Sequence, residues 1–190
     1  DIVRLVFTEY GIPFFLDGKR QAIHHPLAEL MRSAIEVVTH GWRYETVFRC
    51  LRTGFFPLVR EDVDKLENYV LEFGIRGRKR WLQTEAWHWH QRYSLADEDE
   101  VSSDTEEKLK LIDGLRRQVI SALAVFDEAM RKAENVQAMV LALYDFMLQI
   151  EVPLHLTEWT KEAEASGRLA DASEHRQLWQ NVIDLLDQLV

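Results

Sequence analysis

KLKLIDGLRRQVISALAVFDEAMRK, residues Lys108–Lys132, decides the fold class. Its apolar positions, Leu109, Ile112, Leu115, Val119, Ile120, Leu123, Phe126 and Met130, recur at three and four, which is the spacing of one helical face and not of a strand. Ser103 with Glu106 three residues later is the reciprocal capping pattern of a helix start, so the stripe predicts a helix of about seven turns. Downstream, Val136, Met139, Val140, Leu143, Phe146, Met147 and Ile150 predict a second helix ending before Pro153, apolar enough to imply burial on most sides. Leu154 to Ala165 reads as a weaker helix closed by Gly167, and Leu178, Trp179, Val182, Ile183, Leu185, Leu186 and Leu189 as the last.

Upstream, the charge pattern changes. Residues 96–190 carry 9 Lys and Arg against 20 Asp and Glu, whereas residues 1–95 carry 14 against 12. Residues 97–107 are acidic and serine-containing, which predicts an exposed connection near 95–104. Before it, Pro26 suits a first helical turn and Leu27, Leu30, Met31, Ala34, Ile35 and Val38 continue the face to Gly41. Tyr44, Val47, Phe48 and Leu51 give a shorter helix stopped at Thr53-Gly54, and Val63, Leu66, Tyr69, Val70 and Phe73 another stopped at Gly74. Residues 74–96 show no clean period. A short helix over 1–10 is closed by Gly11; Ile12, Pro13, Phe14, Phe15 and Leu16 are the best strand candidate, an edge strand because Pro13 lacks a donor. Asp1, with helical spacing already at Ile2, Leu5 and Val6, reads as a boundary cut into a longer chain.

Composition narrows the function classes. The single cysteine, Cys50, cannot form an internal disulfide or by itself hold zinc or an iron-sulfur cluster. It suits a reducing, cytoplasmic compartment. No uncharged apolar run approaches a membrane span of about 18–20 residues, so no membrane partner is expected. A net charge of −9 argues against a surface that grips nucleic acid everywhere, leaving the first half as the place for such a contact. The sequence contains no G-x-x-x-x-G-K-[ST] phosphate loop, no G-x-S-x-G elbow and no H-E-x-x-H, so no catalytic site is expected in this segment.

Three features remain. Arg76-Gly77-Arg78-Lys79-Arg80 places four basic residues in five, with glycine to let backbone approach a phosphate and Trp81 beside it to stack on an unpaired base; these five side chains are the DNA-binding candidates. A solvated surface loop is the competing reading, and Arg43, Arg49, Arg52 and Arg60 join the run only if the fold gathers them. His88 and His90 suit a two-imidazole zinc site on an extended segment, against ordinary aromatic packing around Trp89, since His24, His25, His40, His155 and His175 are scattered. Glu106-Glu107-Lys108 holds an acid-x-Lys pair of the kind some nucleases use, but without a strand-borne acid it reads as solvated carboxylates at a helix start.

Tyr10-Gly11-Ile12-Pro13-Phe14-Phe15-Leu16-Asp17, then Lys19-Arg20 and His25-Pro26-Leu27, resembles the B-subunit family of ATP-dependent helicase/deoxyribonucleases, the B half of AddAB-type enzymes. Trp42-Arg43-Tyr44-Glu45 with Val47-Phe48-Arg49-Cys50, Leu66-Glu67-Asn68-Tyr69 with Gly74-Ile75 and Arg80-Trp81, and the closing His175, Gln177, Trp179 and Val182–Asp187 are similar to later segments of that family. The resemblance is densest over 9–82 and 174–190 and weak over 95–150. It implies a mainly α fold: residues 1–40 as the tail of a helicase-like (2A-type) domain with a short β-strand near its start, and 41–190 as a helical (2B-like) insertion, as in superfamily 1 helicases of the UvrD type. It also implies a protein that resects broken duplex DNA for recombinational repair with an A-subunit partner, using ATP, magnesium and a 4Fe-4S cluster bound outside these residues. An independent helical protein-interaction module without a DNA role, and a small metalloenzyme built on His88 and His90, are the alternatives that the residues leave open.

Overall fold

The computed structural model describes residues 6–7, 9–11, 25–87 and 103–190, with side chains of the long central helix described from 106 onward. The proposed strand around Pro13, the pair His88 and His90, and most of the acidic connection lie outside these residues. Among the described residues there is no strand, and the fold is mainly α. Near the start, Val6, Phe7 and Glu9 are helical, and Gly11 follows at φ +62°, the left-handed geometry expected of a helix stop.

Among the residues described from 25 to 87, the helices are α1 (Pro26–Thr39), α2 (Tyr44–Leu51), α3 (Arg60–Glu72) and the single turn α4 (Arg78–Trp81). His25 caps α1, its Nδ1 accepting the Leu27 amide at 3.0 Å, with Pro26 in the first turn as the sequence predicts. α1 turns into α2 through Gly41 (φ +68°) and Trp42, which takes φ +61° although it has a side chain. That conformation is held from both ends: the Trp42 amide donates to Val37 O (2.8 Å), and its ring is fully buried.

The spine is α5 (Ser103–Lys132), whose 30 residues make it about 45 Å long at 1.5 Å per residue. α1 and α3 pack against one side of it, and α6 (Val136–Gln149) folds back on it through a short link in which Asn135 Oδ1 caps the Ala138 amide (2.8 Å). α7 (Val152–Ala165) leaves α6 at 52°, and α8 (Leu169–Asp187) pairs with α7 along its length. α8 begins nine residues before the apolar run at Leu178, because Gly167 (φ +72°) reverses the chain early and Ala172 buries against α7. No single helix among the described residues is long and apolar enough to cross a membrane.

One core joins these elements. Trp42, Phe48, Trp81, Trp87 and Tyr69 interlock between α1–α4 and α5, with ring centroids 5.2–6.3 Å apart. Phe126 stacks on Phe146 (4.8 Å) to seal α5 to α6. The buried side chains of α1, before residue 40, belong to the same cluster as those that follow. One expectation is corrected: α6 is not buried on most sides. Ala142, Leu143, Phe146 and Met147 face the core, while Val136, Met139, Leu141 and Leu148 are exposed, since no described helix covers the outer face.

Candidate nucleic-acid interface

The basic run forms the turn Gly74–Trp81 and leads into a loop, residues 82–87, that lies over α5. Two carboxylates on α5 fix it. Asp127 has no exposed side-chain area and accepts from Trp42 Nε1 (3.0 Å), Arg78 Nε (2.6 Å) and Arg131 Nε (3.0 Å), tying α4 to the α1–α2 turn. Burial alone would raise its pKa; the hydrogen bonds from Arg131, Arg78 and Trp42 outweigh that and hold the carboxyl below its ordinary range. Further along the helix, Arg116 is 1% exposed and donates to the backbone oxygens of Trp81 (3.2 Å), Gln83 (2.9 Å) and Glu85 (3.2 Å), while its Nε pairs with Asp113 (2.9 Å) and its guanidinium lies 5.2 Å from the Trp87 ring centroid. Asp113 would likewise rise through burial, but bonds from Arg117, Arg116 and the Trp87 amide lower it.

This clamp sorts the five candidate residues. Arg76, Lys79 and Arg80 are exposed and make no ion pair among the described residues. Arg78, though exposed along its stem, commits its Nε to Asp127. Trp81 corrects the reading of it as a stacking platform: its ring is fully buried against Trp42, Phe48 and Trp87, so no face is open to a base. Of Arg43, Arg49, Arg52 and Arg60, Arg43 lies on a turn packed against the basic one. A Cβ built on Gly77 would stand 3.9 Å from Gly41 O, so the Gly41–Arg43 turn and the basic turn are packed together, and Arg43 is exposed there. Arg49 instead pairs with Glu29 (3.1 Å) and Glu36, and Arg52 with Glu67. Arg60 begins α3, about 18 Å of helix away from its C-terminal end near Gly74.

Histidines that look scattered in sequence do meet, away from this turn. His25 Nε2 lies 2.9 Å from His175 Nδ1, and both rings, with His155, surround Trp159 at centroid distances of 5.8–6.4 Å. Burial first, then the neighbouring His175, push the His25 pKa down to about 4. With Nδ1 already accepting from Leu27, the neutral ring carries its proton on Nε2 and donates it to His175. No group of three or more His, Cys, Asp or Glu side chains among the described residues is arranged to hold a metal ion. A separation of 150 residues between His25 and His175 gave no local signal of this cluster. Glu106 and Glu107 are exposed at the start of α5, and Glu106 pairs with Lys110 (3.8 Å), consistent with solvated carboxylates. Cys50 is fully buried, its thiol pushed up to about 12 by burial, which makes it an inert core group.

Comparison with known proteins supplies the family. No family model matches the chain. Over its whole length, however, it is 45% identical to the B subunit of the ATP-dependent helicase/deoxyribonuclease of Heliobacterium modesticaldum, 41% to that of Desulforamulus reducens and 39% to that of Bacillus subtilis. The chain belongs to the B-subunit family of ATP-dependent helicase/deoxyribonucleases. It spans only 16–17% of the length of each of these relatives. The nucleotide and cluster implied for this family do not fit the residues present in this segment: one buried, protonated thiol cannot replace four cluster ligands, and the sequence has no phosphate loop for ATP.

Proposed function

We propose that this chain is a non-catalytic helical segment of an ATP-dependent helicase/deoxyribonuclease B subunit, and that its turn Arg76–Arg80 contacts the DNA backbone while the whole protein, with its A-subunit partner, processes broken duplex DNA for homologous recombination. ATP hydrolysis, magnesium-dependent cleavage and the 4Fe-4S cluster belong, in this reading, to other parts of the polypeptide. The carrying observation is that Arg76, Lys79 and Arg80 are exposed and, among the described residues, free of carboxylate partners in a molecule with a net charge of −9, on a turn that Asp127 and Arg116 hold rigid. Phosphate contacts gain from such preorganisation, because less side-chain and loop entropy is lost on binding. Arg78 orients the turn, and Arg43 extends the patch. Trp81 supports the turn from within the core.

The test is binding of a forked DNA by the parent and by R76E/K79E/R80E, which spares Arg78 and hence the Asp127 contact. At about 50 mM salt the triple variant is expected to bind at least about tenfold more weakly, and its slope of log affinity against log salt to fall by roughly 2 to 3, near 0.7–0.9 for each lost phosphate contact. Equal affinity and slope would reject the DNA role.

A further inference from the structure

The surface that most needs explanation is the outer face of α6. Val140, Leu141 and Tyr144 share one helical face, with Val140 and Tyr144 half-buried at the edge of the core and Leu141 exposed beyond them. With Ile183, Leu186 and Val190 of the α8 end they line a groove of about 310 Å³. Leu141 is 58% exposed and Val190 65%, so apolar side chains on both walls of the groove face solvent. Scattered surface leucines are ordinary; a strip lining a groove between two helices marks a contact surface.

Charge defines what fits there. Residues 136–150 and 177–190 contain no Lys or Arg, and their only charged side chains are Asp145, Asp184 and Asp187. None of the three has a cationic partner among the described residues; Asp184 accepts only from Gln180 (2.8 Å). An apolar floor with an acidic rim complements an amphipathic helix that carries Lys or Arg along its edges. The relatives devote more than four fifths of their length to sequence outside the matched segment, and any helix in that remainder is tethered to the groove, which raises its effective concentration there.

We infer that the α6–α8 groove is an intramolecular docking site, filled in the intact protein by an amphipathic helix with cationic flanks from outside these 190 residues. The groove shares no residue with the basic turn, so this docking and the DNA contact stand or fall separately. A photo-crosslinking amino acid at position 141 of the intact protein tests it, with position 71 on α3 (Leu71, 56% exposed) as the control site. From position 141 the expected product is a cross-link within the same polypeptide, to a helix flanked by Lys or Arg, with yield reduced at least about fivefold in D145K/D187K. Cross-links to a different polypeptide, cross-links confined to these 190 residues, an unchanged yield in the charge-reversed variant, or no product beyond that at position 71 would each overturn it. So would sedimentation with phosphatidylcholine vesicles that Leu141→Glu abolishes, since α6 and α7 together have the length and composition of a bent span.

Discussion

Asp127 and His25 show how much single buried polar groups decide here. Asp127 satisfies three donors with two oxygens, and Asp127→Ala strands Trp42 Nε1 in the core while freeing Arg78 and Arg131 to solvent. Because those two arginines are 46% exposed, the cost is set mainly by the tryptophan and the lost pairs, about 2 kcal/mol, readable in urea unfolding. An Asp127 pKa held below its unfolded value contributes stability that is complete at neutral pH and is lost as pH falls below about 3.8. His25 acts in a different window. Its folded pKa of about 4 against an ordinary 6.5 means that the unfolded chain takes up a proton which the native cap refuses. Stability should therefore fall as pH drops from 6.5 toward 4, by at most about 3 kcal/mol, and level off below. His25→Asn, which keeps a capping acceptor but does not titrate, is expected to flatten that slope in melting curves taken across the window; an unchanged slope would assign it to other groups.

At the level of elements, the long helices were legible because their apolar stripes are periodic and their stops chemically marked: Gly41, Gly54, Gly74 and Gly167 all take positive φ where the sequence predicts an end. α4 was not, since four residues from Arg78 to Trp81 carry no period and are helical only because Asp127 and Arg116 hold both sides of the turn. Arg116 is the more demanding of the two. Arg116→Lys keeps the charge but cannot span three carbonyl oxygens and Asp113 at once, so it should destabilise by about 2–3 kcal/mol and expose Trp87 and Trp81, seen as a red-shifted tryptophan emission. Arg117→Ala, whose partner Asp113 keeps Arg116, is the surface control and should cost under about 1 kcal/mol.

For the molecule as a whole, the family was readable in short strings such as Trp42–Glu45 and Val182–Asp187, whereas the candidate site was readable only in part. The sequence supplied the cations and their asymmetric placement in the first half. It could not say that Arg78 faces inward to a carboxylate 49 residues away, that Trp81 is core, or that Arg43 joins the turn, because each depends on α5 crossing beneath. The same division of charge sets how the two halves behave in salt: rising ionic strength should weaken DNA binding by the basic turn steeply, while cross-linking at Leu141, with its apolar floor, should decline far less between about 50 and 500 mM salt. The Arg116 clamp also sets which positions of the loop tolerate substitution. A guanidinium that recognises peptide oxygens is blind to the side chains that bear them, so a library randomised over 83–85 should yield mostly folded protein where one randomised at 116 should not.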